Sequence, residues 1–151
     1  MIDFPPYRNL LLAGLVGELS FEAYAWLVSP LIFGLQLEPA NLIIGLGKTF
    51  LGVNLPYWAG FAVHFLIGSI GFAAVVWLTH VLTKTRLAVS GAIAGAALWF
   101  VAQGLLAPLM GRSFMMGFGV YTQSSLLAHV GMSIMIALTL DQLNRRRPLP
   151  A

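Results

Sequence analysis

Long apolar stretches, separated by short and more polar connections, dominate the chain. Four of them have about the 17–25 residues that an α-helix needs to cross the hydrocarbon core of a bilayer. They lack the alternation of apolar and polar positions that is typical of strands, and lipid cannot satisfy an open backbone. The pattern predicts an all-α integral membrane protein with four transmembrane helices, at about 10–33, 57–82, 87–110 and 124–140.

The longest connection, 34–56, has a helical pattern of its own. Glu38 and Pro39 form a typical helix start. Apolar residues follow at helical spacing, among them Leu42, Leu46 and Phe50. We therefore predict an interfacial segment at about 39–52, between the first and second transmembrane helices.

Basic residues are distributed unevenly between the two sides of these helices. Six lie beside the N-terminus, the second connection and the C-terminus, and two lie in the other connections. Three of the six belong to a basic C-terminal tail at 144–151. By the positive-inside rule, both termini of this multi-pass protein are expected in the cytoplasm. The six are Arg8, Lys84, Arg86, Arg145, Arg146 and Arg147, and the two are Lys48 and Arg112.

Composition agrees with a membrane location and excludes several kinds of site. The chain is 59% hydrophobic and 9% charged, whereas soluble domains carry about 25% charged residues. It has no cysteine, so disulfides, thiolate metal sites and iron–sulfur clusters are excluded. Basic residues at helix ends form no single patch, which argues against nucleic-acid binding. Residues 1–151 are expected to form one transmembrane domain, and with no soluble catalytic domain we expect no enzyme.

Two halves of the chain resemble each other. A shift of 78 residues places Ala13 on Gly91, Gly17 on Gly95 and Pro30 on Pro108. AGLVG and SPLIFG are thus echoed by GAIAG and APLMG, and each half ends in a helix that carries a histidine. This predicts two tandem helical hairpins, related by a pseudo-twofold axis along the membrane normal. A chance match of short, biased motifs is the alternative.

His64 and His129 are the histidines of these two helices, and they lie at similar depths. The pseudo-twofold axis would bring the rings face to face, which is the arrangement that axial ligation of a haem b iron requires. Gly68 and Ser133, one turn further on, would leave room for the macrocycle, and Gln103 lies level with the rings as a hydrogen-bond partner. The alternatives are another transition metal, proton handling, and structural hydrogen bonding within the bundle.

Glu18 and Glu22 lie four residues apart on the first helix and therefore share one of its faces. Carboxylates at such depths are costly and normally face a bundle interior or a watery cavity. They are candidates for a proton path, or for a carboxylate partner that orients a ligating histidine. Structural hydrogen bonding is the alternative. Ala96 and Phe100 stand at the equivalent repeat positions, which argues against a symmetric carboxylate dimetal site.

The order of motifs resembles the DUF6789-type family of small four-helix bacterial inner-membrane proteins, with YagU-like inner-membrane proteins as looser relatives. The motifs are SPLIFG, WAGFAVHFLIGS, GAIAGAALWF, APLMG and SLLAHVGMS, and the similarity runs from about Ala13 to Leu143. It is most specific at His64, His129 and Pro108 to Gly111, whereas Ala128 stands where the family usually has glycine. The resemblance implies the four-helix architecture and directs attention to the two histidines, but it implies no reaction.

The leading functional hypothesis is a binding or accessory subunit of a larger electron-transfer complex in the membrane, holding one haem b between His64 and His129. A small transporter or proton-coupled channel, using Glu18, Glu22 and the histidines as its polar path, is the first alternative. A cofactor-free membrane scaffold is the second. The expected partners are the lipid bilayer and other membrane proteins or further copies of this chain.

Overall fold

Residues 4–145 are described by the computed structural model, and the regular elements within them are all helical. Four of the helices in this part of the chain are long and apolar enough to cross a membrane, as the hydropathy pattern predicts. The fifth, α2, is shorter and joins α1 to α3. The helices are α1 (Tyr7–Phe33), α2 (Ala40–Leu51), α3 (Tyr57–Thr83), α4 (Leu87–Leu109) and α5 (Val120–Arg145).

The predicted bounds differ from the observed ones mainly at α5, which extends beyond the predicted 124–140 at both ends. The additional turns contain polar residues such as Thr122 and Gln123, which lower the hydropathy without preventing helix formation. Helix α2 lies within the predicted segment 39–52. Of the predicted basic tail, Asn144 and Arg145 end α5, and the remainder, 146–151, lies outside the described residues.

The two ends of the bundle differ in charge. We call the end that carries Arg8, Lys84, Arg86 and Arg145 the basic end, and the opposite end, where α2 and the 110–119 connection lie, the loop end. A short turn at the basic end joins α3 to α4, and Lys84 closes α3 there in the left-handed conformation, with φ of 55°. The basic end is therefore the end that the charge pattern assigns to the cytoplasm.

Small residues set the packing of α1 and α4 against α5. A Cβ atom at Gly95 would lie 2.6 Å from the carbonyl oxygen of His129, and one at Gly91 equally close to that of Ser133. On α1, a Cβ atom at Gly17 would collide with the side chain of Ile136. The glycines thus allow both helices to approach α5 closely, as small residues do in membrane bundles.

Three of the long helices contain a π-helical turn: Tyr24–Val28 in α1, Ile67–Phe72 in α3 and Val101–Leu106 in α4. In α1 and α4 the turn ends two residues before a proline, Pro30 or Pro108. Proline lacks the backbone N–H and its ring clashes with the carbonyl one turn earlier, so the helix widens there. The turn in α3 has no such proline, and π turns of this kind often accompany functional sites.

Candidate functional site

Glu18 of α1 is buried in the bundle opposite His64 of α3. The Glu18 side chain is 0% exposed, and its Oε1 lies 3.2 Å from Nδ1 of His64. Although these atoms are close, they lack the alignment of a hydrogen bond, and both carboxylate oxygens have no hydrogen-bond partner among the described residues. A buried polar group normally has such a partner, so this carboxylate calls for an explanation.

Glu22 lies one turn further along the same face of α1 and is half-buried. Its Oε2 accepts a 2.8 Å hydrogen bond from the indole N–H of Trp26, whereas its Oε1 is buried and has no partner in the described structure. One oxygen of each carboxylate and one ring nitrogen of His64 lie within 4.8 Å of one another. Within residues 4–145, no lysine or arginine forms an ion pair with either carboxylate.

Gly68, in the π turn of α3, makes room for this cluster. A Cβ atom at position 68 would collide with the carboxylate of Glu18. The space that we assigned from the sequence to a macrocycle is thus filled by Glu18 in this structure. The absence of a side chain at position 68 is what lets α3 pack over the carboxylate.

His129 of α5 has a different environment, in which Nδ1 of its ring forms a hydrogen bond. This atom lies 2.8 Å from the carbonyl oxygen of Ser125, and because a carbonyl can only accept, Nδ1 donates and Nε2 is the unprotonated nitrogen of the neutral ring. The Ser125 hydroxyl in turn accepts a 3.4 Å hydrogen bond from Gln103, to which Thr122 donates. Gln103 therefore contacts Ser125, whose hydroxyl lies 3.4 Å from Nδ1 of His129. A direct hydrogen bond from Gln103 to a histidine stays a prediction.

Phe21 packs against both histidine rings. Its ring centroid lies 5.5 Å from that of His64 and 5.6 Å from that of His129. Both histidines also line two cavities, of about 40 and 200 Å³, whereas sites for small organic ligands usually enclose about 300–1,000 Å³. A haem between the two rings does not fit this arrangement of side chains, since it requires Phe21 to move aside.

Ser133 lies one turn beyond His129 and is 0% exposed. Its backbone carbonyl lies against Gly91 of α4, which places it in the contact between α4 and α5. Its hydroxyl is buried and lacks a hydrogen-bond partner among the described residues. Ser133 therefore lies in a helix–helix contact in this structure. The idea that its small side chain leaves room for a haem macrocycle stays a prediction.

The structure thus brings Glu18, Glu22 and His64 into one cluster and places His129 with Gln103 beside it. Two contributors are not apparent from the sequence. Phe21 is one of many apolar residues, and only its position on α1, three residues after Glu18 and directly before Glu22, points to the site. Gly68 is recognisable from the sequence as a small residue, but the sequence does not indicate that it packs against the Glu18 carboxylate.

No protein-family model matches the chain, and the searches of curated proteins and of solved structures also find no similar protein. The resemblance to DUF6789-type proteins therefore stays a prediction.

Proposed function

We propose that the protein is a small multi-pass transporter of the bacterial inner membrane, which carries a cation bound by Glu18, Glu22 and His64. The observation that carries the proposal is the fully buried Glu18 carboxylate, which has no hydrogen-bond donor in the described structure and whose basic neighbour there is the ring of His64, 3.2 Å away, with no lysine or arginine. Ionisable residues within membrane spans are expensive, and they typically mark ion or substrate pathways.

Charge favours a cation as the missing partner. An isolated ionised carboxylate in an apolar interior costs so much free energy that it is normally paired with a cation or a metal. Two carboxylates of α1 converge on the same point, and the nearest described side chain that could offset them is His64. A bound cation would satisfy both carboxylates at once.

Polarity along the bundle is consistent with a site that is reached from the loop end. On that side, the cavity of about 40 Å³ is lined by polar groups that include Gln103, Tyr121 and Ser125. Towards the basic end the largest fully buried side chains are apolar, namely Val76, Ile136 and Leu140, although the polar Asn9 and Ser90 are also buried there. A carrier exposes its site alternately to the two sides of the membrane. In each of its states, one end of the bundle must therefore give access to the site while the other end closes it off.

The test is cation flux across liposomes that contain the purified full chain. Gradients of H⁺, Na⁺, Mg²⁺ and Zn²⁺ are applied in turn, and internal fluorescent indicators report the movement of each ion. We expect flux of at least one cation, loss of that flux in Glu18→Gln, and no loss in Glu38→Gln, which changes an exposed carboxylate near the loop end. Absence of protein-dependent flux for all four ions would refute the proposal.

A haem b subunit is the second candidate, and it requires Phe21 to move from its position against both histidine rings. The observation in its favour is that Nδ1 of His129 is held by a backbone carbonyl and Nδ1 of His64 lies beside a carboxylate. Ligating histidines are commonly oriented in this way through the ring nitrogen that does not bind the metal. The candidate predicts a Soret band in the purified protein that is lost in both His64→Ala and His129→Ala. A membrane scaffold, the remaining alternative, has no observation of this kind behind it.

A further inference from the structure

We propose that Glu18, Glu22 and His64 form a three-ligand site for a divalent first-row transition-metal ion, with Nδ1 of His64 and one oxygen of each glutamate as ligands. The inference rests on the proposed function only in that it names the class of cation. It differs from the haem hypothesis, because His129 is not a ligand and the coordinating nitrogen of His64 is Nδ1.

The spacing of His64 and Glu18 is compatible with a metal site, and their alignment is not that of a hydrogen bond. A tetrahedral ion with bonds of about 2.0–2.2 Å holds its ligand atoms about 3.3–3.6 Å apart. The separation of 3.2 Å between His64 Nδ1 and Glu18 Oε1 is just below this range. It is also short enough for a hydrogen bond, but these atoms are not aligned on each other as donor and acceptor. Two ligands of one metal ion need no such alignment with each other.

Glu22 supplies the third ligand after a small movement. Its ligand atom lies within 4.8 Å of the other two, so it must approach by roughly 1 Å to reach tetrahedral spacing. Glu22 is half-buried and carries the more accessible of the two carboxylates, which allows this rotation. Its second oxygen is already held by Trp26, as the outer-shell partners of metal-binding carboxylates usually are.

Charge and ligand type narrow the choice of ion. Two carboxylates are neutralised by one divalent ion, whereas a monovalent ion would leave one negative charge in the apolar interior. Imidazole nitrogen favours zinc, iron, nickel or copper, and carboxylate oxygen also suits manganese. Magnesium prefers an octahedral shell of oxygens and retains several waters, so the single imidazole argues against it.

The ion binds within the bundle and keeps a position open. Three protein ligands leave the fourth tetrahedral position free, which is typical of sites that exchange a ligand and differs from closed structural sites. Of the three proposed ligands, His64 lines the two cavities. An ion with one open position can be passed on, which a transporter requires.

The experiment measures Zn²⁺ binding to the full chain, purified in detergent without a polyhistidine tag and treated with a chelator. Equilibrium dialysis gives the stoichiometry and the dissociation constant, and the visible spectrum of the Co²⁺ complex reports the ligand geometry. We expect one ion per chain, bound far more tightly than Mg²⁺. In Glu18→Gln, Glu22→Gln and His64→Ala we expect affinity to fall at least about 100-fold, because loss of a ligand costs no less than loss of an outer-shell partner.

Matched controls separate the site from general effects on the protein. Glu38→Gln removes a carboxylate near the loop end, and His80→Ala removes a histidine near the basic end that is bonded to Thr85. Both variants, and His129→Ala, should bind Zn²⁺ as the unmodified protein does. Thermal unfolding of each variant identifies any that fails to fold. For a histidine position, a Gln or Asn variant then replaces the Ala variant, and for a glutamate position an Asp variant replaces the Gln variant.

Each outcome decides the proposal. Absence of saturable Zn²⁺ binding overturns it, as does binding that survives Glu18→Gln or that requires His129. Binding that follows the expected pattern, together with no cation flux in liposomes, supports the metal site and refutes the transport function. Flux of H⁺ or Na⁺ by a protein that does not bind Zn²⁺ supports the transport function and refutes the metal site.

Discussion

The substitution Gly68→Ala tests the metal site without replacing a ligand. A methyl group at position 68 would collide with the Glu18 carboxylate, which is the end of a flexible side chain and will move in preference to the backbone. Overpacking costs about 1–3 kcal/mol, and exchange of glycine for alanine in a helix returns about 0.8–1.0 kcal/mol. The free energy of unfolding should therefore fall by only about 0–2 kcal/mol.

Metal affinity should suffer more than stability in this variant. The displaced carboxylate loses its 3.2 Å spacing from His64, and errors of this kind in the surroundings of a metal cost about 10–100-fold in affinity. That range corresponds to about 1.4–2.8 kcal/mol. We expect a fall of this size in the Zn²⁺ association constant, measured by equilibrium dialysis, while the thermal unfolding curve of the metal-free protein shifts little.

Gly71→Ala is the matched control, because it lies in the same π turn and its new Cβ atom would meet only one methyl group of Ile67, at 3.7 Å. It should leave the Zn²⁺ affinity unchanged. The reasoning is refuted when Gly68→Ala binds Zn²⁺ as tightly as the unmodified protein, or when Gly71→Ala loses as much affinity as Gly68→Ala does.

Two further substitutions probe the surroundings of the site and the helix packing. Trp26→Phe removes the donor to Glu22 and should lower Zn²⁺ affinity about 10-fold or more, whereas Trp58→Phe, at a tryptophan that is 73% exposed, should not. An equal effect of both would contradict the role of the indole. Gly95→Ala places a methyl group 2.6 Å from a backbone oxygen of α5 and should cost about 1–3 kcal/mol in denaturant unfolding. Gly131→Ala, which has open space around it, serves as its control, and a similar stability of the two variants would disprove close packing at position 95.

The four long helices could be predicted because hydropathy alone determines which segments suit a bilayer. The ends of α5 could not, since its terminal turns carry polar residues whose hydrogen bonds are made within the fold. Thr122, for example, is 2% exposed and donates to Gln103, a contact that depends on how α4 and α5 pack. A hydropathy pattern contains no information on such pairs.

The candidate site could be predicted from the sequence only in part. The i, i+4 spacing places Glu18 and Glu22 on one face, and the sequence suggests a carboxylate beside a histidine. Which histidine it is depends on the rotation of α3 relative to α1, and that rotation is set by close contacts at small residues such as Gly68. The position of Phe21 against both histidine rings follows from the same packing, so the face-to-face arrangement expected for haem b could not be checked from spacing alone.

The π turn at Ile67–Phe72 also has a consequence for chain length. A π turn accommodates one residue more than an α-helical turn while the helix continues on both sides. Deletion of one residue from this turn would convert it to an α-helix without rotating His64 relative to the basic-end half of α3. Sequences that share this bundle are therefore free to differ by a single-residue gap at this point, and those with the gap should also have lost the recess that accommodates Glu18.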